Sequence, residues 1–297
     1  MIKSMNWQQI TASISEALGE PFVVEHHSSI GGGCINSAFR LEGGGQTFFV
    51  KLNRAALLDM FVAEAEGLVE LARAEAIRVP RPICYGISGD QAYLVLENLQ
   101  FGGGQRDAMR QFGRQLAALH RFTAEQFGWS RDNTIGSTPQ PNTRQADWVC
   151  FWQETRLGHQ LALAGQRGGH RGMLSKGERL LAQVGDFFVD YQPVASLLHG
   201  DLWSGNYSIL ASGEPVIFDP AVYYGDREAD IAMTELFGGF SDDFYAAYNE
   251  AWPLDNGYRQ RKTFYNLYHI LNHHNMFGGG YASQAEAMMD RLLSELK

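Results

Sequence analysis

The sequence predicts an α+β protein of two lobes, in which a small antiparallel sheet with one long helix precedes a larger, mainly helical region. Over the first hundred residues, short β-rich runs alternate with glycine turns, which is typical of antiparallel strands. After the glycine-rich break LQFGGGQ, almost every segment has the apolar period of a helix. We therefore expect an N-terminal lobe over 1–98, a hinge over 99–104 and a helical C-terminal lobe over 105–297.

The N-terminal lobe is expected to contain one sheet and one helix. Its strands are predicted at 22–27, 37–42, 46–52, 82–87 and 91–98. The glycines at 43–45 suit a hairpin turn, because glycine tolerates positive φ. The helix is predicted over 56–76, since apolar side chains recur there at the helical period, and the segment VPRP ends it.

The C-terminal lobe is expected to be helical apart from one small hairpin. Helices are predicted at 106–122, 146–164, 176–191, 228–238, 242–252 and in the final two segments of the chain. The hairpin consists of YSIL and PVIFD around ASGE, directly after the stretch LLHGDLWSGN. The segment TPQPN at 138–142 is predicted to be a loop because of its prolines.

The composition favours a small-molecule ligand. The net charge is −9, and the clustered Lys and Arg that hold phosphate backbones are sparse, which argues against a nucleic-acid partner. No apolar run approaches the roughly 18 residues that span a bilayer, and MIKSMNWQQI lacks the apolar core of a signal peptide. The scattered Cys34, Cys84 and Cys150 have no metal-ligand spacing. We expect a cytoplasmic protein without nucleic-acid or membrane partners.

The stretch LLHGDLWSGN carries the strongest chemical signal. It contains Asp201 and Asn206, and Asp219 follows the predicted hairpin. A sheet lobe, a glycine hinge and a helical lobe with the spacing D-x-x-x-x-N form the order of parts in a protein-kinase-like phosphotransferase. In phosphoryl transfer, Asp201 would orient the attacking hydroxyl, and Asn206 and Asp219 would hold Mg²⁺ with hard oxygen ligands. The alternative is that Asp201 and Asn206 only cap a turn.

Lys51 is the candidate for contact with the nucleotide phosphates. It lies near the end of a predicted strand, where a kinase lysine pairs with the α- and β-phosphates, although a lone strand lysine is more often a solvated edge residue. In the following helix, Glu64 lies on the apolar face, whereas Glu66 lies on the opposite, charged face. A carboxylate on an apolar face needs a cation, and we therefore expect Lys51 to pair with Glu64.

The loop SSIGGGCINSA at 28–38 lies where a kinase keeps its phosphate-covering loop. Glycines let backbone N–H groups approach phosphate oxygens, but the loop lacks the G-x-G-x-x-G spacing and could equally be a plain hairpin turn. Cys34 lies at its tip, where a thiol of lowered pKa would be oxidisable; more often such a cysteine simply packs.

Several other polar residues have both a structural and a functional interpretation. Asp230 lies on the inward face of a predicted helix and is expected, with His199, to support the backbone around Asp201. Asp226 is interpreted first as a helix N-cap and second as a substrate or metal contact. Trp203 either packs beneath its loop or offers a ring face to a sugar.

The aromatic helices carry weaker signals. The spacing of His269, His273 and His274 suggests a metal site, but no acid or cysteine joins them in sequence, which favours a core or cleft-lining helix. In the aromatic segment at 147–160, Arg156 and His159 are possible substrate contacts.

Together these motifs resemble the fructosamine kinase family, the ketosamine 3-kinases, which are relatives of the aminoglycoside phosphotransferases. The resemblance is carried by HGDLWSGN, IFDPAVYYGDREADIAMTELFGGF, GGGCINSAFRL with FFVKLN, FVAEAEGL, TPQPNT and LYHILNHHNMFGGGY. Aminoglycoside phosphotransferases usually carry a different pair at Trp203 and Ser204. The resemblance covers nearly the whole chain.

The resemblance implies ATP- and Mg²⁺-dependent phosphorylation of the sugar 3-hydroxyl of ketosamines, the adducts of sugars on amines, and hence the removal of glycation. It implies the base role for Asp201, metal roles for Asn206 and Asp219, and a phosphate clamp of Lys51 and Glu64. The rest of the nucleotide site is expected at Gly32, Gly33, Cys34, Glu97, Asn98 and Leu99. Substrate contacts are expected at Trp203, Asp226, Arg156 and His274, although some members carry histidine at the position of Asp226.

We therefore expect a kinase for free or protein-bound ketosamines such as fructosamine or ribulosamine adducts, acting as a monomer that could dimerise through Cys34. One alternative is a kinase for another small hydroxyl compound, such as an aminoglycoside or an amino alcohol. A second is a pseudokinase that binds nucleotide as a regulatory module.

Overall fold

The computed structural model of the chain describes residues 6–31, 35–103, 107–168 and 171–296. Its strands are β1 His26–Ile30, β2 Ser37–Gly43, β3 Gln46–Arg54, β4 Pro82–Ser88, β5 Gln91–Glu97, β6 Asn133–Ile135, β7 Thr138–Gln140, β8 Ser196–Leu198, β9 Tyr207–Ile209, β10 Pro215–Ile217 and β11 Tyr223–Gly225. Its helices are α1 Trp7–Leu18, α2 Leu58–Arg73, α3 Ala108–His120, α4 Trp148–Trp152, α5 Gly158–Gln166, α6 Arg171–Ala182, α7 Glu228–Leu236, α8 Asp242–Ala251, α9 Tyr258–Phe277 and α10 Tyr281–Glu295.

The chain divides into two compact units. The first consists of Met1–Gln105 and Ser208–Phe218, and the second of Arg106–Tyr207 and Asp219–Lys297. The segment after Tyr207 therefore belongs to the first unit, although the sequence order places it inside the helical part of the chain. The order of residues along the chain does not by itself indicate that this segment belongs to the first unit.

The first unit is built on a five-stranded antiparallel sheet of order β1-β2-β3-β5-β4. Its predicted strands and its helix α2 form, with α2 beginning at Leu58 after a 3-10 turn. One face of α2 is buried through Phe61, Leu68 and Leu71, as their helical period predicts.

Two elements of the first unit differ from the expectation. The sequence reading missed helix α1, although Ile10 and Ile14 are fully buried and Gly19, at φ 74°, ends the helix. The first strand begins at His26 instead of residue 22. Phe22 instead packs edge-on against Phe48, with 5.0 Å between ring centroids, before strand pairing begins. Apolar residues ahead of a strand thus fill the core without joining the ladder.

The second unit is mainly helical, and α9 lies at its centre, packed against α5, α7 and α10. The predicted helix at 176–191 instead comprises α6 and a 3-10 turn, Val184–Phe188. The predicted helix at 146–164 contains a π-helical turn, Gln153–Leu157, between α4 and α5.

Of the segment 138–142, predicted as a loop, Thr138–Gln140 forms strand β7 and pairs antiparallel with β6, whereas residues 141 and 142 have no regular secondary structure. Pro139 lies opposite Thr134 in this two-stranded ribbon. An edge position accommodates the missing N–H of proline, and for that reason proline did not prevent the pairing. Across the part of the chain that the structure describes, no helix is long and apolar enough to cross a membrane.

Candidate active site

The motif around Asp201 follows directly from strand β8. All three residues of β8 are buried, and the strand pairs antiparallel with β11. Gly200 comes next, with φ at 83°, and a Cβ there would lie 2.0 Å from the Ala221 carbonyl oxygen. Glycine alone tolerates both conditions. The chain therefore turns sharply at Gly200, within the catalytic loop, residues 199–206, and Asp201 follows directly after this turn.

Asn206 ties the two predicted acidic residues of the site together. Its side-chain Nδ2 donates to the Asp201 backbone oxygen at 2.8 Å and lies 3.2 Å from the Asp201 carboxylate oxygen Oδ2. The same Nδ2 lies 3.4 Å from the Asp219 backbone oxygen. Asp201, Asn206 and Asp219 thus form one connected group in the second unit, as their order in the sequence predicted.

Asp219 has an unusual backbone conformation. Its φ of 57° lies in the left-handed region, which costs a residue other than glycine on the order of 1 kcal/mol. Such conformations persist where the surrounding structure enforces them, and they concentrate at functional sites. Asp219 lies two residues after the end of strand β10, between Phe218 and Pro220.

The residues present fit a magnesium ion. The Asn206 amide nitrogen faces the oxygens of Asp201 and Asp219, so its carbonyl oxygen Oδ1 lies on the opposite side of the amide and can act as a ligand. Together with the Asp219 carboxylate it supplies hard oxygen donors, and Mg²⁺ typically takes one or two protein ligands with phosphates and water completing its shell. Among the described residues, no group of three His, Cys, Asp or Glu side chains could hold a metal. His269, His273 and His274 therefore form no site of that kind.

Burial and the neighbouring carboxylates, of which Asp219 has a larger effect than Asp230, raise the pKa of Asp201 to about 7. Burial is the largest cause, whereas the hydrogen bond from Asn206 opposes the rise. The raised pKa means that Asp201 can hold a proton near neutral pH. A cation bound beside Asp219 would lower this pKa again, because it offsets the repulsion between the two carboxylates.

The backbone of the catalytic loop is held by Asp230 of helix α7. Its carboxylate accepts hydrogen bonds from the backbone N–H groups of His199 at 2.7 Å and of Gly200 at 2.8 Å. His199 is fully buried, and its ring nitrogen Nδ1 accepts the backbone N–H of Asp201 at 3.2 Å. These contacts support the scaffold roles expected for both residues.

In the first unit, Lys51 and Glu64 form the expected pair. The Lys51 Nζ lies 2.6 Å from the Glu64 Oε1, and Lys51 is 5% exposed. Glu66, on the opposite face of α2, is exposed. The choice of Glu64 by helical face therefore agrees with the contact.

The other residues expected at the nucleotide site have different surroundings. The Glu97 carboxylate at the end of β5 pairs with Arg78 and accepts the Arg81 backbone N–H at 3.1 Å, so its charge is already compensated within the first unit. Asn98 and Leu99 follow β5 directly. Gly32, Gly33 and Cys34 lie outside the described residues, and their expected contacts with phosphate, as well as a dimer through Cys34, stay predictions.

Trp203 is the most accessible of the expected substrate contacts. It is 37% exposed, and its ring lies over Gly205, where a Cβ would come within 2.3 Å of the indole. An aromatic row continues from it through Phe237, with 6.3 Å between ring centroids, to His273 at 5.0 Å and Tyr281 at 5.2 Å. His273, which the sequence did not single out as a contact, thus belongs to the row that starts at Trp203.

Arg156 and Asp226, also expected to contact substrate, are fully buried. The Arg156 guanidinium donates to the Pro141 oxygen at 2.6 Å and to Asn142 at 2.7 Å, and it lies 4.0 Å from the Tyr223 ring centroid. These contacts favour a structural role in joining the π-helical turn to the β6–β7 region.

Asp226 is enclosed by two tyrosines. It accepts hydrogen bonds from the Tyr191 hydroxyl at 2.9 Å and from the Tyr265 hydroxyl, and Oδ1 also accepts the Glu228 backbone N–H at 3.0 Å. The last contact lies just before helix α7 and resembles the N-cap contact expected for Asp226, although the N-cap position itself is Arg227, one residue later. Burial raises the pKa of Asp226, against the effect of these donors.

Comparison with known proteins decides the family. A model of the fructosamine kinase family matches residues 6–295. The chain belongs to the fructosamine kinase family. It is 52% identical over 288 residues to a probable ketoamine kinase of Synechocystis sp., with 97% of each chain covered. It is 44% identical over 272 residues to the chloroplastic protein-ribulosamine 3-kinase of Arabidopsis thaliana, which covers 91% of this chain and 83% of the relative.

Solved structures confirm the predicted fold class. A candidate fructosamine-3-kinase from Haemophilus somnus superposes with a TM-score of 0.88 at 31% identity, over 97% of this chain and 98% of the other. A thermostable aminoglycoside phosphotransferase mutant superposes with a TM-score of 0.63 at 15% identity, over 96% and 98%. The second likeness shows the kinase-like fold alone. A cytoplasmic location stays a prediction.

Proposed function

We propose that this fructosamine kinase family member transfers the γ-phosphoryl group of ATP to the sugar 3-hydroxyl of ketosamines. The match over residues 6–295 and the relatives named ketoamine kinase and protein-ribulosamine 3-kinase support the substrate class. The observation that carries the chemistry is the hydrogen-bonded group of Asp201, Asn206 and Asp219. The phosphorylated adduct is unstable, so the reaction would remove glycation from amines.

Asp201 is the acceptor for the substrate hydroxyl. Its carboxylate takes the hydrogen bond of the attacking hydroxyl and orients the oxygen toward the γ-phosphorus. As the bond from that oxygen to phosphorus forms and the bond to the β-phosphate breaks, the hydroxyl proton passes to Asp201. A pKa of about 7, raised by burial and by Asp219, suits a group that must take up and release a proton near neutral pH.

The remaining polar and charged residues of the site would bind the phosphates and their magnesium ion. Asn206 Oδ1 and the Asp219 carboxylate would hold Mg²⁺, which supplies positive charge against the phosphate oxygens. Lys51, fixed by Glu64, would contact the α- and β-phosphates. Because Lys51 is almost fully buried in the first unit, its ammonium keeps one orientation and loses little entropy on contact.

The row of Trp203, Phe237 and His273 would bind the substrate beside the reacting hydroxyl. Trp203 is two residues from Asp201, and its ring is partly exposed. Sugar faces pack on aromatic rings, and the amine of a ketosamine is a cation that is attracted to a ring face. Arg156 and Asp226 are weaker candidates for substrate contact than this row, since both are fully buried. His274, half-buried on α9, remains a candidate.

The decisive test is incubation of the protein with Mg-ATP and either a ribulose-lysine or a fructose-lysine adduct. We expect a mass gain of one phosphate, located at the 3-hydroxyl by NMR of the product. A parallel reaction with the 3-deoxy adduct should give no phosphate transfer. If no ketosamine gains phosphate, the proposed function is wrong.

Kinases for other hydroxyl compounds are tested in the same assay with an aminoglycoside and an amino alcohol. Aminoglycosides are polycations and need a dense acidic surface. Of the acidic pair Asp242 and Asp243, Asp243 lies 2.8 Å from the Arg110 guanidinium, which compensates part of its charge. We therefore expect ketosamines to be preferred.

A pseudokinase would bind ATP without transferring phosphate to any acceptor. Lys51, Asp201, Asn206 and Asp219 are all present, and these positions are the first to be lost when a kinase degenerates. Turnover in the assay above excludes this alternative.

Regulation by Cys34 predicts a dimer band on a gel that is lost on reduction and is absent in Cys34→Ser.

A further inference from the structure

His120 connects the catalytic loop to the helices behind it. It is the last residue of α3, it is fully buried, and none of the motifs that indicate the family includes it. Its ring nitrogen Nε2 lies 3.3 Å from the Asp230 carboxylate oxygen Oδ2, and its Nδ1 lies 2.7 Å from the Tyr248 hydroxyl. Asp230 Oδ2 is also the oxygen that accepts the His199 backbone N–H. His120 therefore contacts the group that holds the loop.

The contacts of His120 continue through the Tyr248 hydroxyl to the guanidinium of Arg227. The Tyr248 hydroxyl also accepts from Arg227 Nη1 at 3.1 Å. Arg227 donates further to the backbone oxygens of Trp252 at 3.0 Å and Pro253 at 2.6 Å, and its guanidinium lies 4.1 Å from the Trp252 ring centroid. With only 5% of its surface exposed, Arg227 has little freedom to move.

These contacts determine where the protons lie. Asp230 accepts two backbone N–H groups and is ionised, so it can only accept, and His120 must present Nε2–H to it. Nδ1 of the neutral ring is then an acceptor, which requires the Tyr248 hydroxyl to donate to it. The Tyr248 oxygen in turn accepts from Arg227. Every donor thus points toward Asp230, and the arrangement is consistent with one tautomer only.

The electrostatics agree with a neutral imidazole. Burial lowers the pKa of His120 below its ordinary value, although Asp230 opposes this effect. Burial alone would raise the pKa of Asp230, but the bonds from His120 and from the backbone N–H of Gly200 bring it below the ordinary value. The carboxylate therefore stays charged and keeps its hold on the loop.

Close packing of two helices brings the residues together. A Cβ added at Gly113 of α3 would lie 2.3 Å from the Phe244 backbone oxygen of α8. Because glycine lets the two helices approach, His120 near the end of α3 reaches Tyr248 on α8, with 5.6 Å between ring centroids. The contact is thus built into the packing of the second unit.

We propose that His120 is a positioning residue for phosphoryl transfer. As the neutral Nε2–H tautomer, oriented by Tyr248 and Arg227, it fixes the Asp230 carboxylate. Asp230 in turn fixes the backbone that directly precedes Asp201. Without the Nε2–H bond, the buried carboxylate loses one of three donors and its oxygens can rotate. The N–H groups of His199 and Gly200 then lose their fixed acceptors, and Asp201 loses its orientation toward the substrate.

The kinetic test compares His120→Leu with Leu116→Ala. Leu116 lies one turn earlier on α3 and is fully buried, so its truncation destabilises the same helix without removing a hydrogen bond from Asp230. Measured below both melting temperatures, His120→Leu should lower kcat with the ketosamine about tenfold or more, with the ATP KM changed little, since a misplaced reacting group costs turnover more than binding. Leu116→Ala should keep kcat. Equal losses in the two variants would overturn the proposal.

Two further variants separate positioning from packing. His120→Gln keeps a donor for Asp230 and an acceptor for Tyr248, and it should recover most of the lost kcat. Tyr248→Phe should lower kcat less than His120→Leu and should add nothing in the double variant, because both act through one chain. Full additivity in the double variant would contradict that chain.

The proposal rests on the proposed kinase activity for its kinetic arm, and a spectroscopic arm needs no substrate. Imidazole ¹⁵N shifts of the free protein, assigned by the signal that disappears in His120→Gln, should show a protonated Nε2 and an unprotonated Nδ1. The backbone amides of His199 and Gly200 should exchange faster in His120→Leu than in Leu116→Ala. A protonated Nδ1, or unchanged exchange, would overturn the positioning role even if no ketosamine were phosphorylated.

Discussion

Asp201 is the single residue on which the proposed transfer depends most directly. Its carboxylate lies in a group with Asn206 and Asp219, and its backbone N–H is held by His199. The raised pKa of about 7 follows from burial and from the charge of Asp219, so both the position and the protonation of this residue come from its neighbours.

We predict that Asp201→Asn lowers kcat by about 10²- to 10⁴-fold, because it removes the carboxylate that accepts the hydroxyl proton. Asparagine has the same shape, and it also removes the repulsion with Asp219, so the Kd for Mg-ATP should change only a few-fold. Steady-state kinetics and calorimetric titration measure the two quantities. A variant with near-normal kcat would show that another group is the base.

At this scale the sequence indicated residue types but not all neighbours. Asp201, Asn206 and Asp219 could be found from their spacing, and Gly200 from its place beside the aspartate. The contact of His120 with Asp230 could not be found, since 110 positions separate the two residues and only helix packing brings them together.

At the scale of elements, helix α2 shows how periodicity selects a partner. Glu64 and Glu66 are two positions apart and therefore lie on opposite faces of the helix. The face that carries Phe61 and Leu68 packs on the sheet side and brings Glu64 to Lys51 at 2.6 Å. The periodic pattern thus predicted a tertiary contact.

We predict that Glu64→Ala raises the ATP KM and lowers kcat/KM about tenfold or more, whereas the matched Glu66→Ala stays within about twofold. Removing Glu64 breaks its ion pair with the buried Lys51 ammonium, and breaking a buried pair costs about 3–5 kcal/mol of stability. Kinetics over a range of ATP concentrations and denaturant unfolding measure both effects. Equal behaviour of the two variants would reject the clamp.

Two elements were not predicted. The β6–β7 ribbon was assigned as loop, because a proline-containing triplet carries little local signal. Helix α1 was missed, although its two buried residues, Ile10 and Ile14, have helical spacing. Helices α2 and α3 were found, since their amphipathic pattern repeats over several turns.

At the scale of the whole molecule, buried histidines make stability depend on pH. His269 on α9 is 5% exposed, and burial, with a smaller effect of His273, lowers its pKa to about 3. Above pH ~6.5 the ring is neutral in both the folded and the unfolded state. As pH falls below that value, the unfolded state binds a proton that the folded state excludes, so stability is lost progressively toward pH 3.

We predict that between pH 6.5 and 5 the wild-type protein loses about 1.6 kcal/mol more unfolding free energy than His269→Gln, because the slope for one excluded proton rises from half of about 1.4 kcal/mol per pH unit at pH 6.5 to nearly its full value at pH 5. Glu228, whose pKa burial raises to about 7, acts in the opposite direction in both proteins and cancels in the difference. Urea unfolding at the two pH values measures the change. Parallel losses in both proteins would show that His269 does not remain neutral.

The sequence alone determined the fold class, the order of the lobes and the family, because helical period, glycine turns and the spacing of Asp201, Asn206 and Asp219 are local properties of the chain. The tertiary structure alone decided which polar side chains are accessible and which are buried. Arg156 and Asp226 are enclosed, and His120 meets Asp230, because packing between distant helices determines burial and contact. Local spacing reports the chemistry a chain can offer, and packing decides where each group can act.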